Sequence, residues 1–157
     1  MSIDVGQRVP DVALVSSERK PAKLSEYLGK PTVLLFFPGA FTGVCTKEAC
    51  AVRDSMARFT GLQGQVLGIS VDSPFAQKAF ADANRLNFTF LSDFNRHAVK
   101  AFGIEDPNFA GGTLPGVAKR SVFVLDRTGT VRYRWVSDNP GVEPNYDEVA
   151  EAVKKVS

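Results

Sequence analysis

The chain has 157 residues, 44% apolar and 23% charged, and its 19 basic and 17 acidic side chains leave a formal net charge of +2. That balance fits one ordered domain, residues 1–157, with a full hydrophobic core, and it excludes a disordered chain. It also excludes a nucleic-acid surface, because the basic pairs Lys119-Arg120 and Lys154-Lys155 are isolated, and a membrane span, because runs such as Val33 to Phe37 fall far short of the roughly 20 apolar residues required.

Taken in chain order, short apolar runs alternate with helical patterns, the signature of an α/β domain. Val12 to Val15 reads as a short strand, and Ser25 to Leu28 as a brief segment that stops at Gly29-Lys30-Pro31. Thr32 to Phe37 is apolar without alternation, as a central strand covered on both faces must be. Pro38-Gly39 ends it, and a helix is expected from Gly43 to Phe59. Val66 to Val71 is a second buried strand. Ser73-Pro74 is a capping side chain followed by proline at the first helical position, and Phe75, Ala79, Ala83 and Leu86 mark the expected apolar stripe. Phe88 to Leu91 reads as a strand and His97 to Phe102 as a short helix. Asp106 to Lys119 reads as a long Gly/Pro loop, a length often tied to function. Ser121 to Leu125 and Val131 to Val136 flank Asp126-Arg-Thr-Gly129 as a hairpin. Asn145, with Glu148 three residues on, opens a last amphipathic helix. The order strand-helix-strand-helix-hairpin-helix predicts a thioredoxin-like fold with an N-terminal extension, a central mixed sheet flanked by helices.

The N-terminal residues carry no apolar signal core behind a basic start, which predicts a cytoplasmic protein. There the two cysteines, Cys45 and Cys50, read as catalytic or metal-binding rather than as a structural disulfide. Cys45 follows a buried strand and falls in the first turn of a helix, where unpaired backbone N–H groups and the positive end of the helix dipole favour a thiolate, the nucleophilic form. Helical projection puts Cys45, Ala49, Val52, Met56 and Phe59 on one apolar stripe. Cys50 falls roughly 140° away, on the flank of Arg53, Asp54 and Ala57. Cα atoms five residues apart in a helix are about 8.7 Å apart, whereas a disulfide needs less than about 7 Å. The two cysteines therefore bond only if the first turns unwind.

The segment Phe37-Pro-Gly-Ala-Phe-Thr-Gly-Val-Cys-Thr-Lys-Glu-Ala-Cys50 resembles the peroxiredoxin family. Pro38, Thr42 and Cys45 match its Pro-x-x-x-Thr-x-x-Cys motif, Arg120 matches the arginine opening a later apolar strand, and Val71-Asp-Ser73 and Leu91-Ser-Asp93 are similar to family segments. The likeness covers nearly the whole chain, and Cys-x-x-x-x-Cys is similar to the bacterioferritin-comigratory (PrxQ) branch, although Pro-Gly-Ala-Phe-Thr is similar to other branches. The resemblance implies a peroxidase acting on hydrogen peroxide and organic hydroperoxides. Cys45 would be oxidised to a sulfenic acid, Thr42 would position the peroxide oxygen, Arg120 would stabilise charge, and Pro38 would shape the pocket. Glu48 would orient Arg120. Cys50 would resolve the sulfenic acid as a disulfide, and thioredoxin or a similar dithiol would reduce it. No metal or organic cofactor is implied, and the oligomer is a monomer or a homodimer.

Other readings stand beside these. Cys50 is otherwise incidental, leaving a one-cysteine peroxidase that depends on an external thiol. Thr42 is otherwise a helix cap, Arg120 a solvated loop end, Glu48 a first-turn charge, and His97 a packing or solvated residue. Phe41 and Phe109 lie in segments able to line the pocket or a subunit contact, with core packing the safer reading. Cys45 is otherwise a buried packing cysteine. A disulfide oxidoreductase of thioredoxin type would carry Cys-x-x-Cys; a metal-binding or redox-sensing module is the other rival, and two cysteines with one distant histidine are too few for a closed zinc site.

Overall fold

The computed structural model describes residues 2–55 and 64–157. The strands are β1 (Ala13–Ser16), β2 (Pro21–Lys23), β3 (Thr32–Phe36), β4 (Gln65–Ser70), β5 (Thr89–Ser92), β6 (Glu105–Asp106), β7 (Val117–Ala118), β8 (Ser121–Leu125) and β9 (Val131–Val136). The described helices are α1 (Gly43–Asp54), α2 (Pro74–Ala83), α3 (His97–Ala101) and α4 (Tyr146–Val156). Among the described residues the main sheet has the order β2-β1-β5-β4-β3-β8-β9, and β6 and β7 form a separate pair. β4 runs parallel to β3 and β5, while β3–β8, β8–β9, β1–β5 and β1–β2 are antiparallel, so the sheet is mixed.

The pleat sorts the central strands' side chains to two faces. Leu34, Phe36, Leu67, Ile69, Leu91 and Phe123 join Ala98 and Val99 of α3 in one core. On the other face Val33, Leu35, Val66, Val122 and Val124 pack with Val52 of α1 and Val149 and Val153 of α4. A third cluster lies towards α2: Phe37, Cys45, Ala49, Phe80 and Phe90. With apolar groups on both faces, β3 is buried throughout, and this is why its sequence shows no alternation.

The helix starts follow local chemistry. Ser73 Oγ accepts from the Ala76 N–H, and Asn145 Oδ1 accepts from the Asp147 and Glu148 N–H groups. α3 starts differently: Asp93, three residues ahead of an Arg96 with φ of +63°, accepts from the Ala98 and Val99 N–H groups through both carboxylate oxygens.

Several expectations need correction. α2 buries Pro74, Gln77 and Phe80, whereas Phe75, Ala79 and Ala83 are exposed, because the Gln77 amide ties this face of the helix to Ser70 and the Leu91 carbonyl. The long loop of 106–119 is closed by the β6–β7 pair, with a 3-10 turn at Phe109–Gly112 between them. Neither Phe41 nor Phe109 is core: Phe41 is 58% exposed and Phe109 half-buried. β2 was not expected, its three residues being too few for a periodic signal. The described part of the first helix ends at Asp54, and Met56, Ala57 and Phe59 lie outside the described residues.

Gly68 on β4 makes room for the aromatic floor of the third cluster. A methyl there would stand 2.9 Å from Phe90 Cε1 and 3.1 Å from Phe88 Cε2. Gly68→Ala is expected to lower the unfolding free energy by about 1–3 kcal/mol. Urea unfolding followed by circular dichroism measures this, and an unchanged midpoint would contradict the packing described.

Candidate active site

The antiparallel pairing of β3 with β8 builds the site. Phe36, the last residue of β3, is opposite Ser121, the first of β8. The chain just beyond β3 therefore lies beside the residue just before β8, which is Arg120. Seventy-five positions of sequence separate Cys45 from Arg120, and this register closes the gap.

Between β3 and α1 the chain turns through a buried Pro38. The Ala40 N–H donates to Asp72 Oδ2 at 2.8 Å, and Ser70 Oγ donates to the same oxygen at 2.7 Å, tying the turn to the end of β4. Phe41 holds a left-handed φ of +64°, a conformation that costs a side-chain-bearing residue about 1–2 kcal/mol. Thr42 then stands at the N-cap, but its side chain makes no cap bond. Its hydroxyl donates to the Gly39 carbonyl at 2.9 Å, closing the turn, and its oxygen keeps the capacity to accept.

Cys45 is the third residue of α1, within the first turn, and is 1% exposed. Arg120 Nη2 donates to its Sγ at 3.0 Å. Nη1 donates to Glu48 Oε1 at 2.7 Å, and Nε donates to the Pro140 carbonyl at 3.0 Å. Arg120 and Glu48 are each 1% exposed. Burial disfavours the charge on Arg120, but Glu48 and the Cys45 sulfur more than offset it and hold the guanidinium protonated. Burial pushes the Glu48 carboxyl up to about 7, against the pull of Arg120 and with a smaller push from Glu143. Among the described residues Glu48 Oε2 has no hydrogen-bond partner. Tyr146 donates to Glu143 Oε1 at 2.7 Å, and burial together with that bond raises the tyrosine's pKa.

Cys45, Glu48 and Arg120 are thus brought into direct contact. Pro38 and Thr42 instead line a cavity of about 450 Å³, together with Asp72, Arg96, Phe109 and Leu114. Cys45 is not among the lining residues. Cys50 is half-buried on the flank expected of it, with Sγ 3.9 Å from Asn84 Oδ1, and α1 is intact through both cysteines, which are unpaired. Lys119 pairs with Asp138 at the surface, while its neighbour Arg120 turns inward. His97 is exposed, with Nδ1 near the Ala13 carbonyl. Among the described residues no cluster of His, Cys, Asp or Glu is placed to hold a metal. Asp72, Glu143 and Tyr146 escaped the sequence reading. Only Asp72 carried any signal, inside the family-like Val-Asp-Ser segment.

Comparison with known proteins identifies the family. Residues 5–134 match the model of the AhpC/TSA family. Peroxiredoxin Q, chloroplastic, of Populus jackii is 42% identical over 130 residues, 83% of this chain and 59% of that protein. A putative peroxiredoxin of Synechocystis is 34% identical over 97% of this chain and 78% of its own length. Among solved structures, a peroxiredoxin-like protein from Aquifex aeolicus superposes with a TM-score of 0.87 at 30% identity, covering 100% of this chain and 90% of that one. Peroxidoxin BcpB from Mycobacterium tuberculosis gives 0.84 at 30% identity, with 99% of each chain covered. The chain belongs to the AhpC/TSA family, the peroxiredoxins, and within it is similar to proteins named peroxiredoxin Q. It spans about three fifths of the length of several of those relatives.

The buried Glu48 makes stability depend on pH. Between its ordinary 4.5 and about 7 the folded chain binds a proton that the unfolded chain releases. Glu48's contribution is therefore complete below about pH 4.5 and is lost as pH rises through about 7. Glu48→Gln is expected to flatten that part of the stability profile. Urea midpoints across the window test it, and an unchanged slope in the variant would rule out Glu48 as the source.

Proposed function

We propose that this protein is a thiol peroxidase that reduces hydrogen peroxide and organic hydroperoxides. The observation that carries the reading is the buried Cys45 sulfur, in the first turn of α1, accepting from an arginine that Glu48 holds in place. The guanidinium beside the sulfur presents preorganised donors that suit the charge developing on the departing oxygen. The thiolate attacks the terminal peroxide oxygen, the O–O bond breaks, and the leaving oxygen takes a proton to depart as water or an alcohol. Cys45 is left as a sulfenic acid. Thr42, its own proton engaged by Gly39, accepts a hydrogen bond from the peroxide. Pro38 walls the entry. Because Cys45 is 1% exposed, substrate reaches it through the Pro38–Thr42 wall of the neighbouring cavity.

Cys50 then attacks the sulfenic sulfur, forming the disulfide and releasing water, once α1 has partly unwound. A thioredoxin-like dithiol reduces the disulfide by exchange and becomes oxidised itself.

Mixing the reduced protein with hydrogen peroxide while following Trp135 fluorescence and thiol loss tests the assignment. Cys45→Ser should be inert. Cys50→Ser should oxidise once and form no intramolecular disulfide. Arg120→Lys should slow the oxidation by about 10²-fold, as loss of a preorganised donor does. Fast peroxide consumption by Cys45→Ser would refute the assignment, and sustained turnover of Cys50→Ser with the dithiol would transfer the resolving step to an external thiol.

A further inference from the structure

The end of α1 that carries the second cysteine is tied to a rigid point on α2. Arg53 Nη1 donates to the Asn84 carbonyl at 2.6 Å, while its Nε donates to Asp54 Oδ1 at 3.0 Å and aims the guanidinium. Asn84 is the C-cap of α2, where unsatisfied carbonyls and the negative end of the helix dipole attract a cation. The anchor is firm on its own account. Arg85 follows in the left-handed region at φ of +53°, the Leu86 N–H returns to the Ala81 carbonyl at 2.9 Å, and the Asn84 side chain donates to the Phe80 carbonyl at 3.0 Å. This is a Schellman-type stop. The same Asn84 places its Oδ1 3.9 Å from Cys50 Sγ.

We infer that Arg53 is a positioning residue that docks the Cys50 end of α1 onto the C-terminus of α2, and that release of this clamp limits how fast Cys50 reaches an oxidised Cys45. The inference rests on the peroxidase reading and adds a control to it. In an α-helix the N–H groups of residues 49–54 bond to the carbonyls of residues 45–50. Unwinding 45–50 far enough for the sulfurs to meet breaks bonds of this set, and with them the helical phase that sets Arg53 against α2 is disturbed. A guanidinium held to a fixed carbonyl opposes that movement. The step it gates is balanced: the Cys50 thiol displaces hydroxide from the Cys45 sulfenic acid, the S–S bond forms, and one water leaves. While the clamp holds, the sulfenic acid stays available to a second peroxide, which carries it to the sulfinic acid.

The test compares the wild type with Arg53→Met, which keeps an apolar stem and removes the donors, and with Asn84→Ala, which removes the side chain near Cys50 but leaves the carbonyl that Arg53 uses. After one equivalent of hydrogen peroxide, the rates of sulfenic acid formation and of disulfide closure are read by quenched-flow mass spectrometry. Hydrogen exchange of residues 45–54 and of the β3 and β4 amides is measured on the reduced proteins. In Arg53→Met, closure should be about tenfold faster, the effect of losing one charge-assisted hydrogen bond. The first oxidation should be unchanged, exchange should be faster in α1 but not in β3 or β4, and less sulfinic acid should form under excess peroxide. Asn84→Ala should move closure far less. If the wild type forms no Cys45–Cys50 disulfide, the resolving role of Cys50 fails and the clamp with it. If the wild type closes and Arg53→Met closes no faster, with β3 and β4 protection intact, the clamp alone is overturned.

Discussion

A guanidinium almost wholly removed from water costs several kcal/mol of lost solvation, and the site is organised around meeting that cost. Arg120 is held by three acceptors: a sulfur and a carboxylate on α1, and the Pro140 carbonyl beyond β9. None of these could be supplied by Arg120's own strand. The fork therefore requires β8 in register with β3, α1 in its observed rotation, and the chain after β9 folded back. A slip of one residue between β3 and β8 would turn the strand's side chains to the opposite face and leave a charge buried without partners. The same arrangement that sets a donor against the Cys45 sulfur thus holds three distant segments together.

The carboxylate partner is less comfortable. Glu48 gives one oxygen to Arg120, and its other oxygen has no partner among the described residues. Glu143 lies close enough to disfavour its charge further, and Tyr146 occupies Glu143 rather than Glu48. The charge on Glu48 is therefore tolerated for its grip on Arg120 rather than favoured by its surroundings. Replacing such a pair with apolar side chains is often neutral or stabilising, so stability gives no reason to retain it, while orientation of the donor to Cys45 does.

Much of this was legible in the sequence because it is local or periodic. The unbroken apolar run of Thr32 to Phe37, the Ser73-Pro74 start and the first-turn position of Cys45 each follow from a few neighbouring residues. The placement of Cys50 off the apolar stripe follows from helical geometry alone. What failed depended on tertiary context. The stripe on α2 was misassigned because a polar residue, Gln77, is its buried anchor, and a hydropathy pattern counts glutamine as surface. Core packing is the safer sequence reading for Phe41 and Phe109, but a left-handed backbone carries the first outward and a Gly-rich turn brings the second to the cavity wall, the pocket role its segment also allowed. Arg120 beside Lys119 was ambiguous until a strand register decided which of the two turned inward. Asp72 holds the turn by accepting from the Ala40 N–H, 32 residues away, and Glu143 acts on Glu48 by its charge across space; neither leaves a trace in spacing.

Cys45 is also one wall of an aromatic chamber. Phe37 and Phe90 meet edge to face at 6.0 Å, Phe80 joins them at 6.0 and 6.3 Å, and α1 roofs the group with Cys45 and Ala49. Any rearrangement that brings the two sulfurs together lifts that roof. Phe37, Phe80 and Phe90, each almost wholly buried, are thus the rings whose concealment depends on α1 staying helical at its first turns.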